Sequence, residues 1–150
     1  MSVSVTIESP ITPEGRVLIA GSEDALREVY TEDECFTFTA EELLDETIAF
    51  YVARKDGVPV GCVALVDYKT YGEVKRLYVP QTARGLGVAK ILMAHLEREA
   101  KAKGHTSVKL ETGDKLVAAV SLYTSLDYAV CGTFGEYEEH PASLFMEKAL

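Results

Sequence analysis

The run Val74-Lys-Arg-Leu-Tyr-Val-Pro-Gln-Thr-Ala-Arg-Gly-Leu-Gly-Val-Ala-Lys90 carries the clearest chemistry in the chain. It reads as a strand that meets Pro80, followed by a glycine-bearing turn that opens a helix. Glycines at such a turn let the backbone approach a ligand, and the unpaired N–H groups of a helix's first turn suit phosphate oxygens. Arg84 adds a cation at the same point. Two common phosphate motifs do not fit: a dinucleotide fingerprint needs a third glycine where Lys90 stands, and a P-loop needs Gly-Lys followed by Ser or Thr. Gly-x-Gly alone is also compatible with an ordinary strand-to-helix turn.

Other reactive residue types are dispersed. Cys35, Cys62 and Cys131 are odd in number and widely spaced, and the three histidines are scattered, so no disulfide framework, CxxC redox site or metal cage is written here. A net charge of −9 argues against nucleic acid, whose phosphates need a basic face. The charge is unevenly placed: −10 over residues 1–74, +5 over 75–115 and −4 over 116–150. The basic segment reads in two ways. Arg98, Lys101 and Lys103 crowd the end of a helix, where cations suit the dipole, or the segment is a local anion site within an acidic protein that attracts a cationic partner such as a protonated amine.

At 150 residues, 47% apolar and 26% charged, the chain is expected to be a single domain spanning 1–150 around one core. No apolar run approaches the roughly 20 residues needed to cross a bilayer. The first ten residues have neither the basic region nor the hydrophobic stretch of an export signal, so the expectation is a soluble cytoplasmic protein without membrane association. Period-2 alternation of Val3, Val5 and Ile7 predicts a strand over Ser2–Glu8. A helix follows over Pro13 to about Tyr30, with Leu18, Ala25, Leu26 and Val29 on one face. A second short helix is expected over Thr39–Asp45, where Thr39 and Glu42 match a capping box. Strands at Ile48–Ala53 and Val60–Val66 flank Asp56-Gly57, a hairpin signal, and Glu73–Val79 continues the meander. Leu86, Ala89, Leu92, Met93, Leu96 and Ala100 then recur at helical spacing until Gly104. Val108–Leu110, a helix over Leu116–Ser125 with Val117, Val120 and Leu122 inward, Tyr128–Cys131 and Ser143–Glu147 complete the pattern. This order predicts an α/β domain with a mixed sheet carrying helices on its faces.

Arg84-x-x-Gly87-x-Ala89 is similar to the R/Q-x-x-G-x-G/A pyrophosphate motif of the GNAT superfamily of acyl-CoA N-acyltransferases. Glu73-Val-Lys-Arg-Leu-Tyr-Val79 resembles that family's fourth strand, and Ala119-Val-Ser-Leu-Tyr123 its A-x-x-L-Y helix. Phe134-Gly-Glu-Tyr137 and His140-Pro-Ala-Ser-Leu-Phe-Met-Glu147 look like the tail of its small stand-alone members. The resemblance, over roughly residues 48–150, implies a GNAT fold: a twisted, mostly antiparallel mixed sheet that splays between its fourth and fifth strands, here Glu73–Val79 and Val108–Leu110. It further implies acetyl-CoA in that cleft. The pyrophosphate would rest on the turn of Arg84, Gly85, Leu86, Gly87, Val88, Ala89 and Lys90, and the pantetheine arm would pair with the backbone of Leu77, Tyr78 and Val79. A backbone N–H near Val79 would polarise the thioester carbonyl. Tyr123 matches the family's tyrosine that serves the departing thiolate, and Glu73 the carboxylate that several members use as general base, often through water. Each also has a plainer reading, Tyr123 as a packing ring and Glu73 as a solvated strand charge.

Two positions depart from the family pattern. Leu116 stands where Asn is common, and Asp127 where a glycine commonly precedes the aromatic, so this turn is expected to be shaped differently. His140 stands where related tails often carry an acid and reads as a surface histidine. The expected activity is acetyl transfer to a small amine or an amino-terminal group, with acceptor contacts around Tyr30–Phe38, where Glu32, Asp33 and Glu34 favour a cation, and in the Phe134–His140 loop. Two other readings stand beside it: a GNAT-like module that binds acyl-CoA without turnover, and a nucleotide-binding protein. Exposed edge strands at the carboxyl end make a homodimer reasonable.

Overall fold

The structure, a computed structural model, describes residues 2–30 and 39–150. Strands β1 (Val3–Ile7), β2 (Ile48–Lys55), β3 (Val58–Asp67) and β4 (Tyr71–Tyr78) pair antiparallel in that order. Asp56 and Gly57 join β2 to β3 with φ of 53° and 80°, the left-handed pair that a two-residue hairpin turn requires. Along β2 and β3, Phe50, Val52, Cys62 and Ala64 pack into one core while Tyr51, Ala53, Val63 and Leu65 pack into another. Both faces of these strands are therefore covered.

Helix α1 (Pro13–Arg27) covers the first face with Leu18 and Ile19, assisted by Leu43 from a 3-10 turn at Glu42–Leu44. Thr12 starts it, its Oγ1 accepting from the Gly15 amide at 2.9 Å. Helix α2 (Val88–Ala102) covers the second face with Val88, Leu92, Met93 and Leu96. Burial of each such side chain contributes about 1.5–3 kcal/mol. Strand β5 (Ser107–Gly113), helix α3 (Val117–Ser125), strand β6 (Ala129–Val130) and strand β7 (Ser143–Ala149) complete the chain, and the sheet order is β1-β2-β3-β4-β5-β7-β6.

Among the described residues, only β4 and β5 pair in parallel, over Tyr71↔Ser107 to Val74↔Leu110. Beyond Val74 the two strands part, which is the splay expected of a GNAT fold. The same point carries a β-bulge. Cys62 and Ala64 of β3 face Tyr78 and Lys75, so β4 holds one residue more than its partner, and Arg76 adopts φ 58°.

Several local expectations are corrected. Helix α1 stops at Arg27, leaving Val29 exposed and Tyr30 buried outside the helix. The Thr39–Glu42 capping box forms, with the Glu42 amide on Thr39 Oγ1 at 3.1 Å and the Thr39 amide on Glu42 Oε1 at 2.9 Å, but it opens a single 3-10 turn rather than a helix. Leu86 is 48% exposed and precedes α2. Val117 is 74% exposed, Val120 and Leu122 are half-buried, and Tyr123 is the residue that α3 buries. The strand expected over Tyr128–Cys131 shortens to Ala129–Val130. Asp127 takes φ 74°, the left-handed conformation that glycine adopts most readily. Among the described residues, no helix is long and apolar enough to cross a membrane.

Candidate active site

The strand-turn-helix segment forms one side of the site. After β4, Gln81–Ala83 makes a 3-10 turn that buries Ala83, and the chain enters α2 through Gly87. The Arg84 side chain stays at this turn, its Nε donating to the Val79 carbonyl at 3.3 Å. Gly85 and Gly87 have φ of 86° and 75°, and a Cβ on either would meet no atom within 4 Å. Backbone conformation, not packing, therefore demands glycine at these positions.

The first turn of α2 has neither a capping side chain nor an acidic residue, and its first helical bond runs from the Ile91 amide to the Gly87 carbonyl at 3.1 Å. The amides of Val88, Ala89 and Lys90 precede that bond, so the residues present fit a phosphate-bearing group. Gly87→Ala forces a Cβ into the left-handed region at a cost of about 1–2 kcal/mol. Tested with acetyl-CoA, the ligand that the family resemblance implies, this variant is expected to bind about tenfold more weakly in a calorimetric titration while it still unfolds cooperatively.

The other side of the site lies across the splay. Glu73 is not a solvated strand charge: it is 2% exposed, and Tyr137 donates to its Oε2 at 2.6 Å. Lys75 Nζ lies 3.2 Å from the same oxygen, bonds the Tyr137 hydroxyl and sits 4.9 Å from that ring's centroid. Burial and the Glu73 charge both push the Tyr137 phenol above its ordinary range. The loop bearing Phe134 and Tyr137 is thereby fixed over β4, with Phe134 ringed by Tyr71, Tyr137 and Phe145.

Sequence reasoning missed Glu111. Ending the fifth strand at Leu110 left it outside the sheet, yet β5 continues to Gly113. The signal was the alternation itself: Val108 and Leu110 enter the α2-side core, so Lys109 and Glu111 take the opposite face with Glu73 and Lys75. Burial pushes Glu111 up to about 7, against the pull of the Ser143 hydroxyl and Lys75, and the Glu73 charge adds to the rise. Tyr123 is buried on the α2 side, its ring edge-on to Tyr128 at 5.8 Å. Burial raises its phenol well above the ordinary range, and the Glu111 charge across the splay raises it further. Among the described residues the Tyr123 hydroxyl makes no hydrogen bond.

On the expected acceptor side, Tyr30 donates to Asp114 Oδ1 at 3.0 Å and accepts from the Lys115 amide at 2.6 Å. A Cβ on Gly113 would collide with the Tyr30 hydroxyl and ring. Gly113→Ala is therefore expected to destabilise the fold by about 1–3 kcal/mol, read from urea denaturation. Glu32, Asp33, Glu34 and the remainder of 31–38 lie outside the described residues. His140 is half-buried: its Nδ1 accepts from the Ala142 amide at 3.0 Å, and it lines a cavity of about 190 Å³ with Cys131, Thr133, Glu139 and Ser143. Leu116 precedes α3 without a capping bond.

With this geometry established, comparison with known proteins is informative. The family model described as Acetyltransferase (GNAT) family matches residues 18–128. An IAA acetyltransferase from Azospirillum brasilense is 36% identical over 151 residues, covering 99% of both chains. The crystal structure of a Klebsiella pneumoniae protein named as an acyl-CoA N-acyltransferase superposes with a TM-score of 0.82 at 32% identity, covering 99% of this chain and 97% of that one. The PaiA N-acetyltransferase from Thermoplasma acidophilum, solved in complex with coenzyme A, shares the fold at a TM-score of 0.79 and 21% identity, with both chains fully covered. A matching motif turn, a sheet splayed at the required strands and a relative alike over its whole length lead to one conclusion: the chain belongs to the GNAT acetyltransferase family and is an enzyme of the acyltransferase class.

Proposed function

We propose that this protein transfers an acetyl group from acetyl-CoA to a primary amine of a small molecule or a peptide amino terminus, by direct attack in a ternary complex. The observation that carries this reading is the placement of Glu111 and Tyr123 on opposite faces of the splayed sheet, coupled across the gap, beside a β4 end whose pairing with β5 stops at Val74. On this reading the uncapped first turn of α2, with Arg84 beside it, holds the pyrophosphate, and the backbone of Leu77, Tyr78 and Val79 aligns the pantetheine arm. An amide near Val79 polarises the thioester carbonyl.

A cationic acceptor, favoured by a protein of net charge −9, must lose a proton before it attacks. Glu111, held near 7, suits that role as general base. Glu73 sits on β4 as the resemblance implies, but its engagement with Tyr137 and Lys75 suits it to shaping the acceptor wall and raising Glu111. Tyr123 donates its hydroxyl proton toward the departing thiolate. The two groups work in sequence: once Glu111 has taken a proton from the amine, the negative charge that raises Tyr123 is gone, and the phenol becomes a better donor as the thiolate forms.

The test is a calorimetric titration with acetyl-CoA, with desulfo-CoA and ATP as controls, followed by a thiol-release screen over amines and IAA. Saturable binding shared by CoA analogues and not by ATP, then thiol release with one acceptor class, is the expected result. No binding at millimolar acetyl-CoA withdraws the reading.

A further inference from the structure

Helix α1 grips the bulged end of β4 at two points. Arg76 holds φ 58° and buries its guanidinium to 2% side-chain exposure, with Nη1 donating to Ser22 Oγ at 2.9 Å and Nη2 to Glu23 Oε1 at 2.9 Å. Ser22 is itself buried and its hydroxyl donates a hydrogen bond to the Ile19 carbonyl at 2.7 Å, so its oxygen is oriented to accept. Two residues further along the strand, the Tyr78 side chain occupies the space that a Cβ on Gly21 would fill, 2.7–2.8 Å from that position. The consecutive residues Gly21, Ser22 and Glu23 thus hold β4 on both sides of Leu77. The left-handed conformation is unfavourable for arginine and persists only where the surroundings enforce it. From the other side, Cys62 Sγ donates to the Arg76 carbonyl at 3.3 Å.

We infer that Arg76 is a positioning residue for acyl-donor binding: its clamp on Ser22 and Glu23 holds the bulge that turns the Leu77–Val79 backbone into the splay. The inference rests on the acetyl-CoA reading above. It assigns α1, which contributes no motif residue, a direct part in donor affinity. A side chain that served only to fill space on this face would leave the strand's course unchanged when replaced by a residue that tolerates the same backbone conformation.

Arg76→Gly makes that separation, since glycine accepts φ 58° without strain and removes the clamp. Its acetyl-CoA dissociation constant, measured calorimetrically on protein confirmed as folded by circular dichroism, is expected to rise at least tenfold. KM for acetyl-CoA should rise in step while kcat at saturation falls less than threefold. Arg76→Lys, which keeps a charged donor near Glu23, is expected to recover at least half of the lost affinity on a logarithmic scale. Should Arg76→Gly fail to fold, the double variant Ser22→Ala with Glu23→Gln removes both acceptors and is expected to weaken binding at least fivefold. Folded variants that bind acetyl-CoA within twofold of the parent overturn the inference, as does a lysine variant no better than glycine. A parent chain that binds no acetyl-CoA overturns the functional reading instead, so the two failures are distinguishable.

Discussion

Glu111→Gln is expected to lower kcat by two to four orders of magnitude at pH 8 and, at the same pH, to raise the melting temperature. The first effect follows from removing a general base, which ordinarily contributes about 10²–10⁴-fold. The second follows from linkage. The folded pKa is raised from 4.5 to about 7, so between those values the native state holds a proton that the unfolded chain has released. Stability therefore falls as pH rises through that window, and above it the charged carboxylate opposes folding by up to about 3 kcal/mol. Glutamine avoids that cost. For a chain of this size the relief corresponds to roughly 6–12 °C at pH 8, and it should vanish below pH 4.5, where both states are protonated. The parent's kcat should rise with pH through a value near 7, and the variant's profile should lose that limb. Full activity in Glu111→Gln, or a melting temperature that does not respond, removes Glu111 from the mechanism.

Tyr123→Phe should lower kcat about 100-fold or more while the calorimetric affinity for acetyl-CoA stays within threefold. The substitution deletes one oxygen from a ring that remains packed on Tyr128, so the core is conserved. Because the hydroxyl holds no bond to the rest of the described protein, folding should be unaffected or slightly favoured. A loss confined to kcat identifies a group that acts in the transition state and not in donor binding. If the domain were a non-catalytic acyl-CoA sensor, the same variant would match the parent in every measurement.

The scaffold was easier to read from the sequence than the groups that work within it. Asp56-Gly57 between two apolar runs defined the β2–β3 hairpin because only a few residues accept both left-handed conformations. The spacing of Leu92, Met93, Leu96 and Ala100 defined α2 because a long amphipathic helix has one apolar face. Arg84, Gly87 and Ala89 are local in sequence and form a local structure, so their turn was visible. Glu111, Tyr137 and Arg76 were not. The elevated affinity of Glu111 for a proton comes from burial between β4, β5 and β7, which brings together residues more than thirty positions apart. Tyr137 reaches Glu73 across 64 positions by way of a loop whose course no periodicity describes. At Arg76 nothing local favours a left-handed arginine; the tertiary clamp from α1 overrides a preference that the segment Lys75-Arg-Leu-Tyr78 states plainly as strand. The error in α3 has the same origin. Its apolar residues lie on every side of the helix and so offered several inward faces, and packing selected the one bearing Tyr123.

Among the described residues, the four pairs between Tyr71↔Ser107 and Val74↔Leu110 are the only ladder that joins the β1–β4 block to the β5–β7 block. Every other seam in the sheet is antiparallel and lies within one block. Helix α2 bridges the blocks, packing on β1 to β4 and on β5. The sheet is thus a pair of stiff plates joined by a short hinge seam with one strut across its back. A force that pries the cleft wider is borne by those four pairs, the strut and the side-chain ties from Tyr137 to Glu73 and from Tyr30 to Asp114, while the interior of each plate keeps its shape.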